Sequence, residues 1–319
     1  MSSTRYQVLV ADDLSPRALE VFAAFPTLEV VVKTGLKGDD LKQALQGVHG
    51  LAVRSATKVT AEVLAAAPSL KVVGRAGIGV DNIDLRAAKQ HGVLVMNTPT
   101  GNAVTTAEHA LALLMSLARH VPQATASMKA GKWEKKKFEG RELCDKTLGL
   151  LGLGNIGRIV ADRAQGLKMR VIAHDPIVPV EAAAKLGVEL VTVDELFRRA
   201  DFLSLHAPLN NTTRNLLNAE AFAKMKPDVL IVNAARGGIV DEPALCEAIQ
   251  AGRVAGAAFD VFVEEPLPKD HPLLALDRVI VTPHLGASTV EAQEKVAVEV
   301  AEQIAAYLVR GEIKNAVSA

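Results

Sequence analysis

The chain has 319 residues, enough for about two domains at roughly 100–200 residues each. Its 36 Lys and Arg balance 36 Asp and Glu. That balance removes the bulk attraction used by nucleic-acid and anionic-membrane binders, so neither is expected as a partner. Hydrophobic residues make up 49% but aromatic residues only 3%, so the cores must be filled by Val, Leu, Ile and Ala, as in layered α/β proteins rather than disordered chains or all-β sandwiches.

The chain opens Met1-Ser-Ser-Thr-Arg5 and runs straight into a strand-like segment, without the apolar stretch of a secretory leader, and no window of 18 uncharged apolar residues follows. β-branched runs predict strands at 7–10, 28–32, 50–53, 71–75 and 93–97, with amphipathic helices between them. Residues 97–102, Asn-Thr-Pro-Thr-Gly-Asn, have loop composition and precede an Ala- and Leu-rich helix predicted over 106–120, so the first domain crossing is expected there. The rhythm resumes with strands at 147–151, 170–174, 202–206, 229–233, 254–260 and 278–282. A loop at 283–289 then leads into a terminal helix over 290–309, and periodicity leaves open which domain receives it. Strands that alternate with helices imply parallel sheets joined by right-handed crossovers, hence two doubly wound α/β domains. Cys144 and Cys246 have no CxxC or Cys/His spacing around them. Neither a disulfide nor a metal site is signalled, and a reducing, cytoplasmic compartment is expected.

The strand at 147–151 ends in Gly152-Leu-Gly154-Asn155-Ile156-Gly157 and opens a helix. In that setting the glycines allow a tight turn, close approach of backbone to a pyrophosphate and close helix packing, while the helix N-terminus favours negative charge. Asp175 stands 18 residues after Gly157, at the end of the next strand, near the spacing of an acid that binds ribose hydroxyls and repels a 2′-phosphate. Pro176 follows where an Arg would favour NADP, so NAD is expected.

Arg236, flanked by Ala234-Ala and Gly-Gly just past a strand, presents an unobstructed guanidinium suited to holding a carboxylate in two hydrogen bonds. Glu265 follows the strand that closes at Asp260, and His284 with Gly286 follows the last strand. Three compatible groups at three consecutive strand ends are expected to converge.

These stretches, with Val53-Arg54-Ser55-Ala-Thr, Gly74-Arg75-Ala-Gly77-Ile78-Gly79-Val-Asp-Asn and Met128-Lys-Ala-Gly-Lys-Trp133, resemble the D-isomer-specific 2-hydroxyacid dehydrogenases over nearly the whole chain. The resemblance implies a Rossmann NAD-binding domain at 98–287 and a discontinuous, flavodoxin-like substrate-binding domain at 1–97 plus 288–319. It implies Arg236, Glu265 and His284 as catalytic residues, Arg236 to clamp the substrate carboxylate and polarise the developing oxyanion, His284 as acid/base and Glu265 as its orienting partner. The chemistry agrees, since oxidation of a 2-hydroxy acid needs a base that titrates near neutrality and a carboxylate that stabilises its protonated form. Cofactor contacts are implied at Gly152, Gly154, Asn155, Ile156, Gly157, Asp175, Pro176, His206, Ala234, Asp260 and Gly286. A phosphorylated small-molecule substrate is implied for Arg54, Ser55, Arg75, Gly77, Ile78, Gly79 and Asn102. Ile78 stands where many phosphate-handling members carry a small polar residue. The chain ends at Ala319, whereas longer members continue into a regulatory domain, so feedback through such a domain is expected to be absent.

The run from Lys132 to Lys137 reads as a solvated basic turn. The resemblance offers a second account, in which Trp133 packs on a partner chain and Lys135 completes a substrate site across a homodimer or dimer of dimers. His49, His91, His109, His120, His174 and His271 have no partners legible in the sequence. Two competing functions remain, a hydroxypyruvate or glyoxylate reductase of the same family, which needs no phosphate site, and an NADH-sensing binding protein on the same fold.

Overall fold

The computed structural model describes residues 5–317. The first four residues, where the search for a leader began, and the last two of the expected discontinuous domain lie outside the described residues. The chain divides into two compact units, one formed by 1–102 with 287–319 and the other by 103–286. The changes fall after Asn102 and Gly286, not after residues 97 and 287. The physical reason is local. Thr98 is tied to Gly77, and Gly101 packs against Val296, so residues 98–102 belong to the first unit.

The first unit holds five parallel strands, β1 (Tyr6–Val10), β2 (Leu28–Val32), β3 (Gly50–Val53), β4 (Val72–Arg75) and β5 (Leu94–Asn97), in the order β2-β1-β3-β4-β5. Along β1 the side chains alternate between two cores, Val8 and Val10 on one face and Leu9 on the other, as the two-residue period of a strand requires. Leu9, Leu51, Val53, Val73 and Val95 pack under helices α2 (Gly38–Ala44), α3 (Ala61–Ala65) and α4 (Leu85–Gln90). The opposite face takes α1 (Arg17–Ala23) and the terminal helix α12 (Val290–Arg310), whose Val296, Val300, Ile304 and Leu308 are buried there. A Cβ at Gly74 would stand 2.6 Å from Val300 and 2.7 Å from Ile304. The bare strand backbone therefore admits the helix, which answers the question that periodicity left open.

The second unit begins with α5 (Ala103–Ala118) and α6 (Val121–Lys129). One continuous helix was expected through residue 120, but His120 turns to φ 53 and separates two. The sheet has seven strands, β6 (Thr147–Leu151), β7 (Arg170–His174), β8 (Glu189–Leu190), β9 (Phe202–Leu205), β10 (Leu230–Asn233), β11 (Gly256–Phe259) and β12 (Val279–Val281), in the order β12-β11-β10-β9-β6-β7-β8. All neighbours pair in parallel. The connecting helices are α7 (Asn155–Gly166), α8 (Val180–Lys185), α9 (Val193–Arg199), α10 (Ala219–Lys224) and α11 (Glu242–Gln250). The order is that of a Rossmann sheet, and that of the first unit is flavodoxin-like. β8, two residues long, is too short for a periodic signal. β11 and β12 are shorter than expected: residues 254–255 and 278 precede the strands, and Asp260 and Thr282 lie just past them, bonded to one another through their side chains.

At the N-terminal edge of the second sheet, Asp201 accepts hydrogen bonds from the Thr147 N–H at 2.8 Å and from Lys226 Nζ at 2.7 Å, joining β6 to the start of β9. Burial opposes its ionisation most, yet Lys226 and the Thr147 N–H together hold its pKa below the usual aspartate value. A depressed carboxylate stabilises the fold above its unfolded pKa of about 3.9 and loses that contribution as pH falls through the lower folded value. Chemical denaturation is therefore expected to show a steeper loss of stability between roughly pH 5 and pH 3 for the wild type than for Asp201→Asn.

Candidate active site

The glycine loop sits where β6 meets α7. Gly152 has φ 97, and a Cβ there would stand 2.8 Å from the backbone of His206, while one at Gly157 would collide with the Gly152 carbonyl. Gly154 caps α7 with no side-chain hydrogen bond, and a Cβ placed on it would meet nothing within 4 Å. The N-terminus of a twelve-residue helix thus borders uncovered space at Gly154. Asn155 is exposed beside them and Ile156 is half-buried, turned toward the core. Asp175 stands alongside, its Oδ2 accepting from the Leu153 N–H at 2.8 Å and its Oδ1 from the Ile177 and Val178 N–H groups at 2.9 and 3.2 Å. Pro176 is exposed. Open helix donors, a loop that no side chain fills and a fixed carboxylate at the next strand end fit the pyrophosphate and ribose of a dinucleotide.

His206, expected to end a strand, lies one residue past β9. Its Nε2 meets Ser204 Oγ at 2.9 Å, and its Nδ1 is buried without a partner among the described residues. Burial pushes its pKa down to about 4. It is a neutral imidazole at the back of the glycine loop, unsuited to acid–base work near neutrality.

His284 projects from the loop after β12 with φ 55, and its Nδ1 lies 2.7 Å from Glu265 Oε2. The other carboxylate oxygen of Glu265 accepts the Phe262 N–H at 3.0 Å. Burial works against ionisation of Glu265, but the bonds from His284 and Phe262 hold its pKa below the ordinary range. The side chains of the pair are 48% and 37% exposed. Asp260 lies beneath this loop at 1% exposure. It accepts from Thr282 Oγ at 2.6 Å, the Leu285 N–H at 2.7 Å, the Gly286 N–H at 2.8 Å and His109 Nε2 at 3.1 Å. These bonds, His109 first among them, keep its pKa low against the opposing and larger effect of burial. Asp260, expected at the cofactor, is in the structure the anchor of the loop that carries His284 and Gly286.

Arg236 follows β10 on a loop held by Asn233, whose Nδ2 donates to the Arg236 carbonyl at 3.0 Å and whose Oδ1 accepts the Ala235 N–H at 3.1 Å. Ala234 is buried in this turn. A Cβ on Gly237 would collide with the Phe262 carbonyl, so the Arg236 loop lies directly on the segment leading to Glu265.

In the first unit, the loop from Arg54 to Thr57 hangs on buried Asp12, which accepts from the Arg54 N–H at 2.6 Å and from Thr57 Oγ at 2.6 Å. Asn82 donates to the carbonyls of Arg54 and Thr57 at 2.8 and 2.7 Å. Ser55 is exposed at the tip. A second loop, residues 75–79, is pinned by Thr98 Oγ, which accepts the Gly77 N–H at 2.6 Å, and by Asn97, which donates to the Ile78 carbonyl at 2.6 Å. The Arg75 guanidinium lies against Gly77, Gly79 is half-buried, and Asn102 is buried at the end of the unit. Lys135 is exposed on a short 3₁₀ turn, Lys135–Phe138, in the second unit. Asp12, Asn82, Asn97, Thr98, His109 and Thr282 were not singled out from the sequence. The Asp81-Asn82 pair beside the 75–79 loop is the one local signal that pointed toward any of them.

Residues 111–286 match the sequence profile of the D-isomer specific 2-hydroxyacid dehydrogenase NAD-binding domain. The chain is 50% identical over 297 residues to D-3-phosphoglycerate dehydrogenase of Homo sapiens, covering 93% of this chain and 55% of that one. It is 49% identical over 308 residues to the protein of the same name from Methanocaldococcus jannaschii, covering 96% and 58%. The chain thus spans little more than half the length of the curated relatives it matches. A solved Thermus thermophilus structure superimposes with a TM-score of 0.89 at 37% identity, covering 98% of this chain and 99% of that one.

Asp260→Asn replaces an acceptor by a donor amid N–H groups and is expected to cost about 2–4 kcal/mol in chemical denaturation. Hydrogen exchange at the Leu285 and Gly286 amides should quicken by about tenfold or more, well beyond any change at β10.

Proposed function

Because the chain belongs to the D-isomer-specific 2-hydroxyacid dehydrogenase family, we propose that it interconverts 3-phospho-D-glycerate and 3-phosphohydroxypyruvate with NAD, the entry reaction of serine synthesis. The observation that carries the reading is the 2.7 Å Glu265–His284 pair, whose Glu265 turn is packed against the Arg236 loop. The names of the half-identical relatives supply the substrate.

NAD, when bound, supplies the hydride acceptor. The α7 N–H groups and Gly154 would hold its pyrophosphate, and Asp175 its ribose hydroxyls. His284 offers Nε2 to the substrate, because Nδ1 is occupied by Glu265. It takes the hydroxyl proton as the 2-hydroxy carbon becomes a carbonyl, and returns it in the reverse direction. Glu265, held ionised, favours the imidazolium so formed and fixes the ring. Arg236 clamps the substrate carboxylate. Arg54 offers a guanidinium for the phosphate, with the backbone N–H groups of Ile78 and Gly79 as further donors.

We further propose a homodimer. Trp133 is 81% exposed in the single chain, a large apolar surface that a partner subunit would cover, and Lys135 is two residues away. Cys144 and Cys246 are both free, which suits the cytoplasm. Among the described residues, no helix is long and apolar enough to cross a membrane.

The test is turnover with NADH. Phosphohydroxypyruvate is expected to be preferred over hydroxypyruvate, and Arg54→Ala should lower kcat/KM for the phosphorylated substrate selectively. The loss of a charge-assisted contact worth about 1.5–3 kcal/mol corresponds to roughly tenfold to a hundredfold. Lys135→Ala shows the same selectivity if Lys135 reaches the phosphate from a partner subunit, and an equal effect on both substrates rejects that role.

For the cofactor, placing a 2′-phosphate against Asp175 costs several kcal/mol. The wild type is therefore expected to favour NAD over NADP by about a hundredfold or more in kcat/KM. Asp175→Asn, which keeps an acceptor for the backbone, should narrow that ratio.

A further inference from the structure

Glu242 and His271 form a second carboxylate–imidazole pair in the same unit, 3.1 Å apart between Oε2 and Nε2. Glu242 opens α11, six residues after Arg236, and is 5% exposed. Its Oε1 accepts the Val263 N–H at 3.0 Å. His271 caps the short 3₁₀ turn Pro272–Ala275, its Nδ1 accepting the Leu273 N–H at 3.3 Å. An acceptor role for Nδ1 places the ring proton on Nε2, where it donates to Glu242. Donation therefore runs from the Leu273 N–H into the imidazole and from the imidazole into Glu242, whose other oxygen takes the Val263 N–H.

The peptide it grips is a junction. The N–H of Phe262 is taken by Glu265, the N–H of Val263 by Glu242, and the carbonyl of Phe262 lies against Gly237. The Phe262 ring is buried and stacked on Phe259 at 6.4 Å, which limits rotation of the segment about its own axis. Without Glu242, the Val263 N–H would lose its acceptor and the Glu265 turn would be held on one side only.

We infer that Glu242, oriented by His271, is a positioning residue for hydride transfer. It sets the Glu265 turn against the Arg236 loop, and thereby the register between the carboxylate clamp and the acid–base pair. The inference rests on the dehydrogenase reading for its kinetic arm alone. Misplacement of reacting groups by about 1 Å can cost a hundredfold in rate, and groups that act through one another do not contribute independently.

The experiment is a double-mutant cycle on the full chain, read by kcat with NADH and phosphohydroxypyruvate. A fluorescence titration of NADH and the low-field imidazole N–H resonance of His284, assigned by its loss in His284→Gln, complete the set. Glu242→Ala is expected to lower kcat by about tenfold or more, to leave NADH affinity within about twofold, and to shift or broaden the resonance. In a Glu265→Ala background the same substitution should lower kcat by less than about twofold. Equal losses in both backgrounds, or an unchanged kcat with an unchanged resonance, overturn the inference. If Glu242→Ala does not fold, Glu242→Gln serves in the same cycle. It keeps an acceptor for Val263 but not the one for His271, so about a threefold loss confined to the Glu265 background supports the proposal and no loss rejects it. If the wild type turns over neither phosphohydroxypyruvate nor hydroxypyruvate, the dehydrogenase reading has failed, and the resonance alone decides the positional one.

Discussion

An ionised carboxylate at 1% exposure is stable only where donors replace its lost hydration, and Asp260 imposes that condition on the second unit. Two of its donors are backbone N–H groups, Leu285 and Gly286, and one is the Thr282 hydroxyl. These residues bracket His284 on both sides. The constraint drives the loop into a tight turn in which His284 takes φ 55, a conformation that costs a residue with a side chain on the order of 1–3 kcal/mol. A network of charge-assisted bonds, each worth about 1.5–3 kcal/mol, offsets that strain. His109 adds the fourth donor from α5, tying the first helix of the unit to the end of its last strand.

The parallel sheet explains why so many groups share one edge. Gly152 follows β6, Asp175 β7, His206 β9, Arg236 β10, Asp260 β11 and His284 β12, each just past a C-terminal strand end. In the first unit Arg54 follows β3, Arg75 ends β4 and Asn97 ends β5. Parallel pairing places all C-terminal ends of a sheet on one side, so groups far apart in sequence meet without any local signal between them. Asp201 and Lys226 lie at the opposite edge of the second sheet, where they fasten strands together.

That geometry also sets what could be read from the chain alone. The strands were legible because β-branched runs carry a two-residue or fully buried pattern, and Gly152 to Gly157 because a strand, three glycines and a helix follow one another directly. Glu265 and His284 were legible as strand-end residues of suitable chemistry. Their anchors were not. His109 lies about 150 residues from Asp260, and a lone histidine on an amphipathic helix carries no mark of its partner. Asp12 and Asn82 approach Arg54 from the connections after β1 and β4, for the same reason. The two-residue β8 and the break at His120 were missed because periodicity needs more residues than either provides.

The carboxylates of Asp260, Glu242 and Glu265 differ in how freely their surroundings can readjust. Asp260 takes four donors and almost no solvent, so it serves as an anchor. Glu242 is likewise sunk, shared between one N–H and one imidazole that is itself tied to the backbone. Glu265 likewise takes one backbone donor and one imidazole, but its side chain keeps more than a third of its surface in solvent. Water and a single N–H can readjust when His284 gains or loses charge, whereas four fixed donors cannot. The chain thus places its most solvated carboxylate against the histidine that must change state, and holds the buried Asp260 and Glu242 on fixed donors around that pair.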